Sequence, residues 1–294
     1  MNADSVRKIS VVGAGQMGRG IAQVAAAAGI DVILSDVSVA ASEKAKALVA
    51  SALQKQVEKG KMTEEARAAL LAHIHPAASG ASLDGVELAV EAATEHFETK
   101  LAIFKAIDEA LPKGAVLASN TSSISITKLA AATSRPDLVI GMHFMNPVPL
   151  MKLVEVVRGV QTSAETHALT KALAERLGKT VITSNDAPGF LVNRVLIPLI
   201  LEACFALQEG VGAAVDIDTG AKLGLNHPMG PLELADLIGL DTVLAIAEVL
   251  HRELGDSKYR APVNLRNLVA AGWLGKKTQR GFYRYDDKGQ RVAD

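Results

Sequence analysis

A histidine and a glutamate lie twelve residues apart, each associated with a short apolar run. His143 follows the run 138–142, and Glu155 lies within 152–157, where a buried strand would not ordinarily carry a carboxylate. A hairpin-like return centred near Pro149 would set the two side chains next to each other. A carboxylate beside an imidazole fixes its tautomer and stabilises the imidazolium formed on proton uptake. The pair therefore predicts acid–base chemistry, with a partly exposed acid on an edge strand as the alternative for Glu155.

A glycine-rich loop directly follows the first apolar run. It consists of Gly13, Ala14, Gly15, Gln16, Met17 and Gly18. In this spacing the first glycine permits a tight turn, the second lets the backbone approach a pyrophosphate, and the third lets the helix pack on the strand. Asp36 ends the second predicted strand, where it could accept hydrogen bonds from ribose hydroxyls, and no arginine lies beside it. The order of strand, loop, helix, strand and acid predicts an NAD site, in preference to an NADP site or a plain structural turn.

Two further polar residues could meet a reacting oxygen. Ser122 belongs to the run 119–123 after a predicted strand, and its alternative role is to cap a helix beginning at Ile124. Asn193 lies near the start of a later helix, where its amide could point into a cleft between two domains. An exposed position on that helix is the alternative for Asn193.

The elements that must position these residues alternate between strand and helix. The predicted strands are 9–12, 31–35, 87–90, 116–118, 138–142 and 180–183, and the helices between them include 16–28, 39–59, 98–110 and 164–177. This alternation predicts right-handed crossovers and a mainly parallel sheet of the Rossmann type. The segment 39–74 carries two helical stretches split near Gly60, which predicts a helical hairpin projecting from the sheet.

The pattern changes after Asp186-Ala-Pro-Gly189. Helices are predicted at 190–208, 216–223, 231–238, 241–253 and 262–271, with one short strand-like piece near 281–285. We therefore expect two domains: a Rossmann domain over 1–186 that binds NAD, and an all-α domain over 187–294. The substrate would lie in the cleft between them.

Charge and composition exclude several classes of protein. The chain has 31 Lys+Arg against 32 Asp+Glu and 3% aromatic residues, so it lacks the basic surplus and stacking side chains of a general nucleic-acid binder. A single cysteine, Cys204, argues against a disulfide framework or a cysteine-based zinc site, and no metal is expected. The apolar runs are too short for a signal-peptide core or a membrane span. We expect a cytoplasmic protein that binds neither membrane nor nucleic acid.

Taken in order, the motifs resemble the short-chain L-3-hydroxyacyl-CoA dehydrogenases, including the bacterial 3-hydroxybutyryl-CoA dehydrogenases. They are the glycine loop, Ser-Asn-Thr-Ser-Ser at 119–123, Gly-Met-His-Phe-Met-Asn-Pro-Val-Pro at 141–149, Lys-Leu-Val-Glu-Val-Val at 152–157, Pro-Gly-Phe-Leu-Val-Asn-Arg at 188–194, Pro-Met-Gly-Pro-Leu-Glu-Leu at 228–234, and Gly-Lys-Lys-Thr with Gly-Phe-Tyr within 275–283. The resemblance covers essentially the whole chain, and the motifs are specific as a set.

This resemblance implies reversible, NAD-dependent oxidation of an (S)-3-hydroxyacyl-CoA, such as 3-hydroxybutanoyl-CoA, to the 3-ketoacyl-CoA. It makes His143 the general base and acid, with Glu155 in support and Ser122 and Asn193 as partners of the substrate. Cofactor contacts are implied for the glycine loop and for Asp36, Glu95, Lys100, Asn120 and Lys277. A coenzyme A contact on the helical hairpin is implied for Lys59. It also implies a homodimer formed through the C-terminal domain.

Other functions stay open on the residues alone. One is a dehydrogenase of free hydroxy acids or sugar acids, of the lambda-crystallin or L-gulonate type, which keeps the same core motifs. Another is a non-enzymatic NAD-binding protein, against which the intact pair of His143 and Glu155 argues. The acyl chain length and the metabolic pathway, such as fatty-acid β-oxidation, are not decided by the sequence.

Overall fold

The first compact unit of the chain is built on one large sheet. The computed structural model describes residues 3–292 and divides into two units, Met1–Ala187 and Pro188–Asp294. Within the described residues the sheet has eight strands in the order β3-β2-β1-β4-β5-β6-β7-β8. The strands are β1 Lys8–Val12, β2 Asp31–Asp36, β3 Ile74–Ala78, β4 Leu88–Glu91, β5 Val116–Ser119, β6 Val139–Phe144, β7 Leu153–Arg158 and β8 Thr180–Asn185. Neighbours run parallel except for β6 and β7, so the mainly parallel Rossmann-type sheet is confirmed.

Helices connect these strands as the alternation predicted. They are α1 Gln16–Ala27, α2 Val39–Glu58, α3 Glu64–Ala72, α4 Phe97–Ala110, α5 Ile126–Ala130 and α6 Ala164–Arg176, with short 3-10 turns at Ala3–Ser5 and Pro136–Leu138. Several begin where a Ser or Thr hydroxyl accepts a hydrogen bond from the first helical turn, as Ser38 does for α2 and Ser163 for α6. Local sequence therefore fixes where these helices start.

The topology changes direction beside β1. The chain passes from β1 to β2 and β3 on one side, then returns to place β4 on the other side of β1. In open sheets of this kind, ligands bind outside the carboxyl ends of the strands at this change of direction. Each residue of β4 is buried, since the strand lies inside the sheet with both faces covered. The glycine loop follows β1 at this point.

The edge strand β3 was not predicted. It pairs with β2 so that Pro76 lies opposite Leu34. Proline has no N–H to donate, which confines it to sheet edges, and β3 occupies such an edge. The predicted pair of helices, α2 and α3, is confirmed, but its predicted projection from the sheet is not. Ala45, Val49 and Leu53 bury one face of α2 in the core of this unit, so α2 packs along the sheet.

An ion pair ties the end of α4 to the segment before β6. Asp108 accepts hydrogen bonds from the Ser134 N–H at 2.6 Å and from Arg135 Nε at 2.7 Å. Burial of Asp108 acts to raise its pKa, but the Ser134 N–H and the Arg135 guanidinium outweigh burial and hold the pKa below its usual value. The charged form of Asp108 is therefore the one that the fold favours.

The second unit is helical, as expected. Its helices are α7 Val192–Gln208, α8 Ala214–Gly224, α9 Pro231–Ile238, α10 Leu240–Leu254 and α11 Val263–Ala270, with 3-10 turns at Ser257–Tyr259 and Lys276–Thr278. Two strands of two residues, β9 Arg284–Tyr285 and β10 Arg291–Val292, pair antiparallel. Over residues 3–292, no helix is long and apolar enough to cross a membrane.

Two buried aspartates organise this unit. Asp218 accepts hydrogen bonds from the N–H groups of Leu232 and Glu233 at the start of α9. Asp236 accepts from the N–H groups of Phe282 and Tyr283, and burial raises its pKa. The bonds to Asp218 join α8 to α9, and the bonds to Asp236 hold the segment 275–285, which carries Lys277, against α9.

Candidate active site

His143 and Glu155 are direct cross-strand partners on β6 and β7. His143 Nδ1 lies 3.2 Å from Glu155 Oε2, so the predicted placement side by side is confirmed. His143 is 8% exposed and Glu155 is fully buried, which rules out the exposed edge-strand acid. When the imidazole is neutral and Nδ1 donates to the carboxylate, Nε2 is the basic nitrogen. A buried carboxylate stabilises the positive charge that appears when this nitrogen takes a proton.

The glycine loop has the close contacts that its spacing predicts. Gly13 has φ +99°, and a Cβ there would lie 2.6 Å from Cα of Ala93 in the loop after β4. A Cβ on Gly18 would overlap the carbonyl oxygen of Gly13, so only glycine lets α1 start this close to β1. Apart from its neighbours in the chain, no heavy atom of residues 3–292 lies within 4 Å of a Cβ built on Gly15. The backbone at Gly15 is therefore open to a ligand, as a pyrophosphate requires.

Asp36 ends β2 beside this loop. Its Oδ2 accepts a hydrogen bond from the Ala14 N–H at 2.6 Å, and its Oδ1 accepts from the Val37 N–H at 2.7 Å. Asp36 thus fixes the glycine loop and also presents a carboxylate at its mouth. A cavity of about 660 Å³ opens here, with Gly13, Gly15 and Asp36 in its wall.

The rest of this cavity is built from residues that the sequence did not single out. Ser79, Gly80, Ala81 and Leu83 line it from the segment after β3, and Thr99, Ala102, Ile103, Ala106, Ile107 and Ala110 line it from α4. The α4 residues recur at helical spacing, and a helix face of alanine and isoleucine was the signal available in the sequence. Apolar walls beside a carboxylate suit an adenine base attached to a ribose. The residues present therefore fit NAD.

The loop after β5 holds Ser122. Glu95 accepts hydrogen bonds from the Thr121 hydroxyl at 2.7 Å, from the Ser122 N–H at 2.7 Å and from the Ser122 hydroxyl at 3.1 Å. Asn120 Oδ1 accepts from the Phe144 N–H at 2.9 Å, next to His143. Glu95 and Asn120, both expected at the cofactor, thus position the serine loop and the end of β6.

The predicted helix start at Ile124 is wrong. Helix α5 begins at Ile126, and Ser125 caps it by accepting from the Lys128 N–H. Asp186 accepts from the N–H groups of Ile126 and Thr127. The capping role is therefore filled by other residues than Ser122.

Lys100, expected to contact the cofactor, is buried in an ion pair. Its ammonium pairs with the carboxylate of Glu91, and the side chains are 2% and 0% exposed. Glu91 also accepts from the Ala93 N–H at 2.9 Å and from the Ser119 hydroxyl at 3.0 Å. Glu91 thereby joins the ends of β4 and β5 beneath the glycine loop. Sequence reasoning missed it, although a carboxylate closing the apolar strand β4 was the same signal that identified Glu155.

The remaining candidates lie elsewhere in the chain. Asn193 in α7 is buried, so the exposed position considered for it is wrong. Lys277 is exposed and pairs with Asp241 at 2.6 Å. Lys59 is exposed at the end of α2, on the helical hairpin. In residues 3–292 no group of three or more His, Cys, Asp or Glu side chains could hold a metal ion.

Family models match both units of the chain. The NAD binding domain of 3-hydroxyacyl-CoA dehydrogenase matches residues 8–187, and the C-terminal domain of the same family matches residues 189–285. The chain belongs to the 3-hydroxyacyl-CoA dehydrogenase family. It is an NAD-dependent dehydrogenase.

Individual members of the family are similar over nearly their whole length. A probable 3-hydroxybutyryl-CoA dehydrogenase of Bacillus subtilis is 52% identical over 96% of this chain and 99% of its own. The human mitochondrial hydroxyacyl-coenzyme A dehydrogenase is 41% identical over 95% of this chain and 91% of its own. The crystal structure of (S)-3-hydroxybutyryl-CoA dehydrogenase from Ralstonia eutropha is 52% identical, with a TM-score of 0.93 over 96% of this chain and 100% of that one. The predicted resemblance is therefore confirmed.

Proposed function

We propose that the enzyme reversibly oxidises short-chain (S)-3-hydroxyacyl-CoA thioesters, such as 3-hydroxybutanoyl-CoA, to 3-ketoacyl-CoA. The observation that carries the proposal is the buried pair of His143 and Glu155, 3.2 Å apart on adjacent strands of the sheet that carries the NAD loop. Such a pair supplies the proton transfer that alcohol oxidation needs. The substrate class is the one named for the relatives from Bacillus subtilis and Ralstonia eutropha.

In the oxidative direction, His143 Nε2 removes the proton of the C3 hydroxyl. Glu155 holds the ring through Nδ1 and stabilises the imidazolium that results. Bound NAD supplies the hydride acceptor for C3. In the reductive direction, the protonated His143 returns the proton to the carbonyl oxygen. Asn193 donates a hydrogen bond to that oxygen. The Ser122 hydroxyl, which donates to Glu95 in the structure, turns to donate a second hydrogen bond when the substrate binds.

The backbone of the glycine loop and the start of α1 hold the pyrophosphate of NAD, and Asp36 holds the ribose. Lys277 and Glu95 complete the cofactor site, Glu95 partly through its bonds to Ser122. Lys59 on the helical hairpin binds a phosphate of coenzyme A. Lys59→Ala should therefore raise KM for acetoacetyl-CoA and leave KM for NADH unchanged.

The central test removes the imidazole of His143. General acid–base catalysis contributes about 100- to 10,000-fold, so His143→Ala should lower kcat with acetoacetyl-CoA by a factor in that range. NADH should still bind, because the glycine loop and Asp36 are untouched. His251→Ala, at an exposed histidine of α10, is the matched control and should keep full activity. A fully active His143→Ala protein would overturn the proposed mechanism.

The substrate class has its own test. Initial rates with acetoacetyl-CoA, free acetoacetate and L-gulonate separate a CoA thioester dehydrogenase from an enzyme of free acids. A kcat/KM series from C4 to C16 3-ketoacyl-CoA, run with NADH and with NADPH, then gives the chain length and the cofactor preference. We expect the highest kcat/KM at C4 with NADH. Turnover of free acids alone would contradict the proposal.

We also propose a cytoplasmic homodimer formed through the helical unit. That unit exposes several large apolar side chains in this chain: Val195, Val211, Leu223, Leu225 and Val263. Exposed apolar side chains of this size suit burial against a second copy. The free thiol of Cys204 fits a reducing compartment. Sedimentation equilibrium should give twice the mass of one chain, and a monomer at micromolar concentration would contradict the dimer.

A further inference from the structure

A turn of eight residues connects the strands that carry the proposed acid–base pair. We name residues 145–152 the β6–β7 turn; His143 lies just before it and Glu155 just after it. Because β6 and β7 are antiparallel, a shift of this turn moves the two side chains relative to each other. What holds the turn therefore bears on the geometry of the pair.

Lys179 reaches the β6–β7 turn from the start of β8. Its Nζ donates to the carbonyl oxygens of Val148 at 2.6 Å and Met151 at 2.9 Å. Lys179 is 8% exposed, and these partners are neutral carbonyls, not carboxylates. Burial lowers the pKa of this ammonium. A buried charge without a counter-charge is costly, so a neutral apolar side chain would serve stability as well or better.

The main chain at Lys179 is itself fixed. Helix α6 ends at Arg176. Gly178, two residues beyond it, has φ +74°, and its N–H donates to the Glu175 carbonyl. The Lys179 N–H donates to the Ala174 carbonyl at 3.1 Å, and the Thr180 N–H donates to the Lys152 carbonyl at 2.7 Å. The first two bonds form a Schellman motif, which anchors the residue that follows the helix. The main chain that carries the Lys179 side chain is therefore held in place by hydrogen bonds.

Helix α1 holds the same turn from another side. Gln16 Nε2 donates to Asn146 Oδ1 at 2.9 Å. Gly20 packs so closely on the turn that a Cβ there would lie 2.8 Å from Cβ of Val148. The turn is therefore held between the helix that follows the glycine loop and the ammonium of Lys179.

We propose that Lys179 is a positioning residue for the proposed reaction, whose ammonium holds the β6–β7 turn and thereby sets His143 against Glu155. This inference rests on the proposed function, because it assigns to Lys179 an effect on the pair of that site. Lys179 touches neither the pair nor the glycine loop through its hydrogen bonds. Its effect is carried by the carbonyls of Val148 and Met151.

The test replaces the ammonium by a neutral side chain of similar length. Lys179→Met should lower kcat with acetoacetyl-CoA on the order of ten- to a hundred-fold, as displacements near 1 Å do at a reacting centre. KM for NADH should stay within about twofold, since the cavity at Asp36 is built from other elements. Lys171→Met is the matched control, because Lys171 lies on α6 with its side chain 48% exposed. Lys171→Met should have the same kcat with acetoacetyl-CoA and the same KM for NADH as the unaltered enzyme.

A double-mutant cycle separates positioning from general loss of structure. If Lys179 acts through the pair, Lys179→Met should lower kcat strongly in the unaltered enzyme and by less than about threefold in a Glu155→Gln background. An equal factor in both backgrounds would overturn the proposal, and so would an unchanged kcat in Lys179→Met. Lys179→Arg, which keeps the charge and the donors, should recover part of the lost kcat.

Gly20→Ala perturbs the β6–β7 turn from the side of α1. It provides a second test of the proposal if Lys179→Met does not fold. Alanine favours the helix more than glycine does, which offsets part of the loss of stability, while its methyl group pushes Val148. We expect a folded protein with a lower kcat and a modestly lower midpoint of thermal unfolding, because the added methyl group overpacks the contact with Val148. A kcat equal to that of the unaltered enzyme would contradict the inference. If His143→Ala and Glu155→Gln are themselves fully active, the proposed function fails. If they are impaired while Lys179→Met and Gly20→Ala are not, only the inference about Lys179 fails.

Discussion

Gly18 lies where α1 approaches the turn after β1 most closely. A Cβ at Gly18 would overlap the carbonyl oxygen of Gly13 and lie 2.9 Å from its carbonyl carbon and 3.3 Å from Cγ1 of Val11. Because the first two atoms are backbone, Gly18→Ala must displace the glycine loop or the start of α1. Overpacking of this kind costs about 1–3 kcal/mol, and alanine returns at most about 1 kcal/mol as helix propensity. We expect a net destabilisation of about 1–2 kcal/mol.

The larger effect of Gly18→Ala should be on the cofactor. Each hydrogen bond from a loop N–H to a charged phosphate contributes about 1.5–3 kcal/mol, so losing one should raise Kd for NADH by about 10- to 150-fold. Titration of NADH fluorescence measures Kd, and thermal unfolding measures stability. Gly220→Ala is the matched control, because Gly220 lies in α8 and, beyond the backbone of its own helix, no heavy atom of the described part of the chain is within 4 Å of its Cβ position. Unchanged NADH binding by Gly18→Ala, or equal losses in both variants, would refute the reasoning.

Three further outcomes are expected. Asp36→Ala should raise Kd for NADH by about tenfold or more and reduce the ratio of Kd for NADPH to Kd for NADH, with both constants measured by fluorescence titration. An unchanged Kd for NADH would show that Asp36 does not bind the cofactor. Asp108→Asn should lower the free energy of unfolding in urea by about 3 kcal/mol at pH 7, because the buried guanidinium of Arg135 keeps its carbonyl acceptors but loses its counter-charge. Since the folded pKa of Asp108 is depressed, its ionic contribution is complete above about pH 3.8 and is lost as pH falls through the folded pKa. The difference between the two proteins should therefore shrink in acid, and a constant difference would contradict this account. Lys277→Met should change stability by no more than about 1 kcal/mol, because its ion pair is exposed, yet it should raise Kd for NADH; an unchanged Kd would leave this lysine with its surface ion pair alone.

Hydrophobic periodicity predicted most of the fold because central parallel strands are apolar throughout. Edge strand β3 was not predicted, because it is half-exposed and interrupted by Pro76. Its pairing depends on β2, a partner more than thirty residues away, and not on its own residue pattern. The order of the strands in the sheet likewise depends on how the elements pack, and the order of predicted elements along the chain does not give it.

The site was predictable where residues of matching chemistry lie at equal distances along the chain from a predicted turn. His143 and Glu155 are equidistant from Pro149, so their meeting could be worked out from an antiparallel return. The burial of Lys100 could not be predicted from the sequence, because it depends on an ion pair with Glu91 at the end of β4. A lysine on a helix is usually exposed, and only the three-dimensional arrangement supplies the carboxylate that makes its burial tolerable.

The register of β6 against β7 also limits where this chain can accept inserted residues. Side chains alternate between the faces of a strand, so a shift of one residue in β7 would carry Glu155 to the face opposite His143. A shift of two residues would restore the face but move Glu155 about 7 Å along the strand. Insertions in relatives of this chain should therefore collect at the exposed tip near Pro149 and Leu150, where added residues can loop out without moving either strand. The pairing of one imidazole with one carboxylate thus sets a rule for which insertions the chain tolerates.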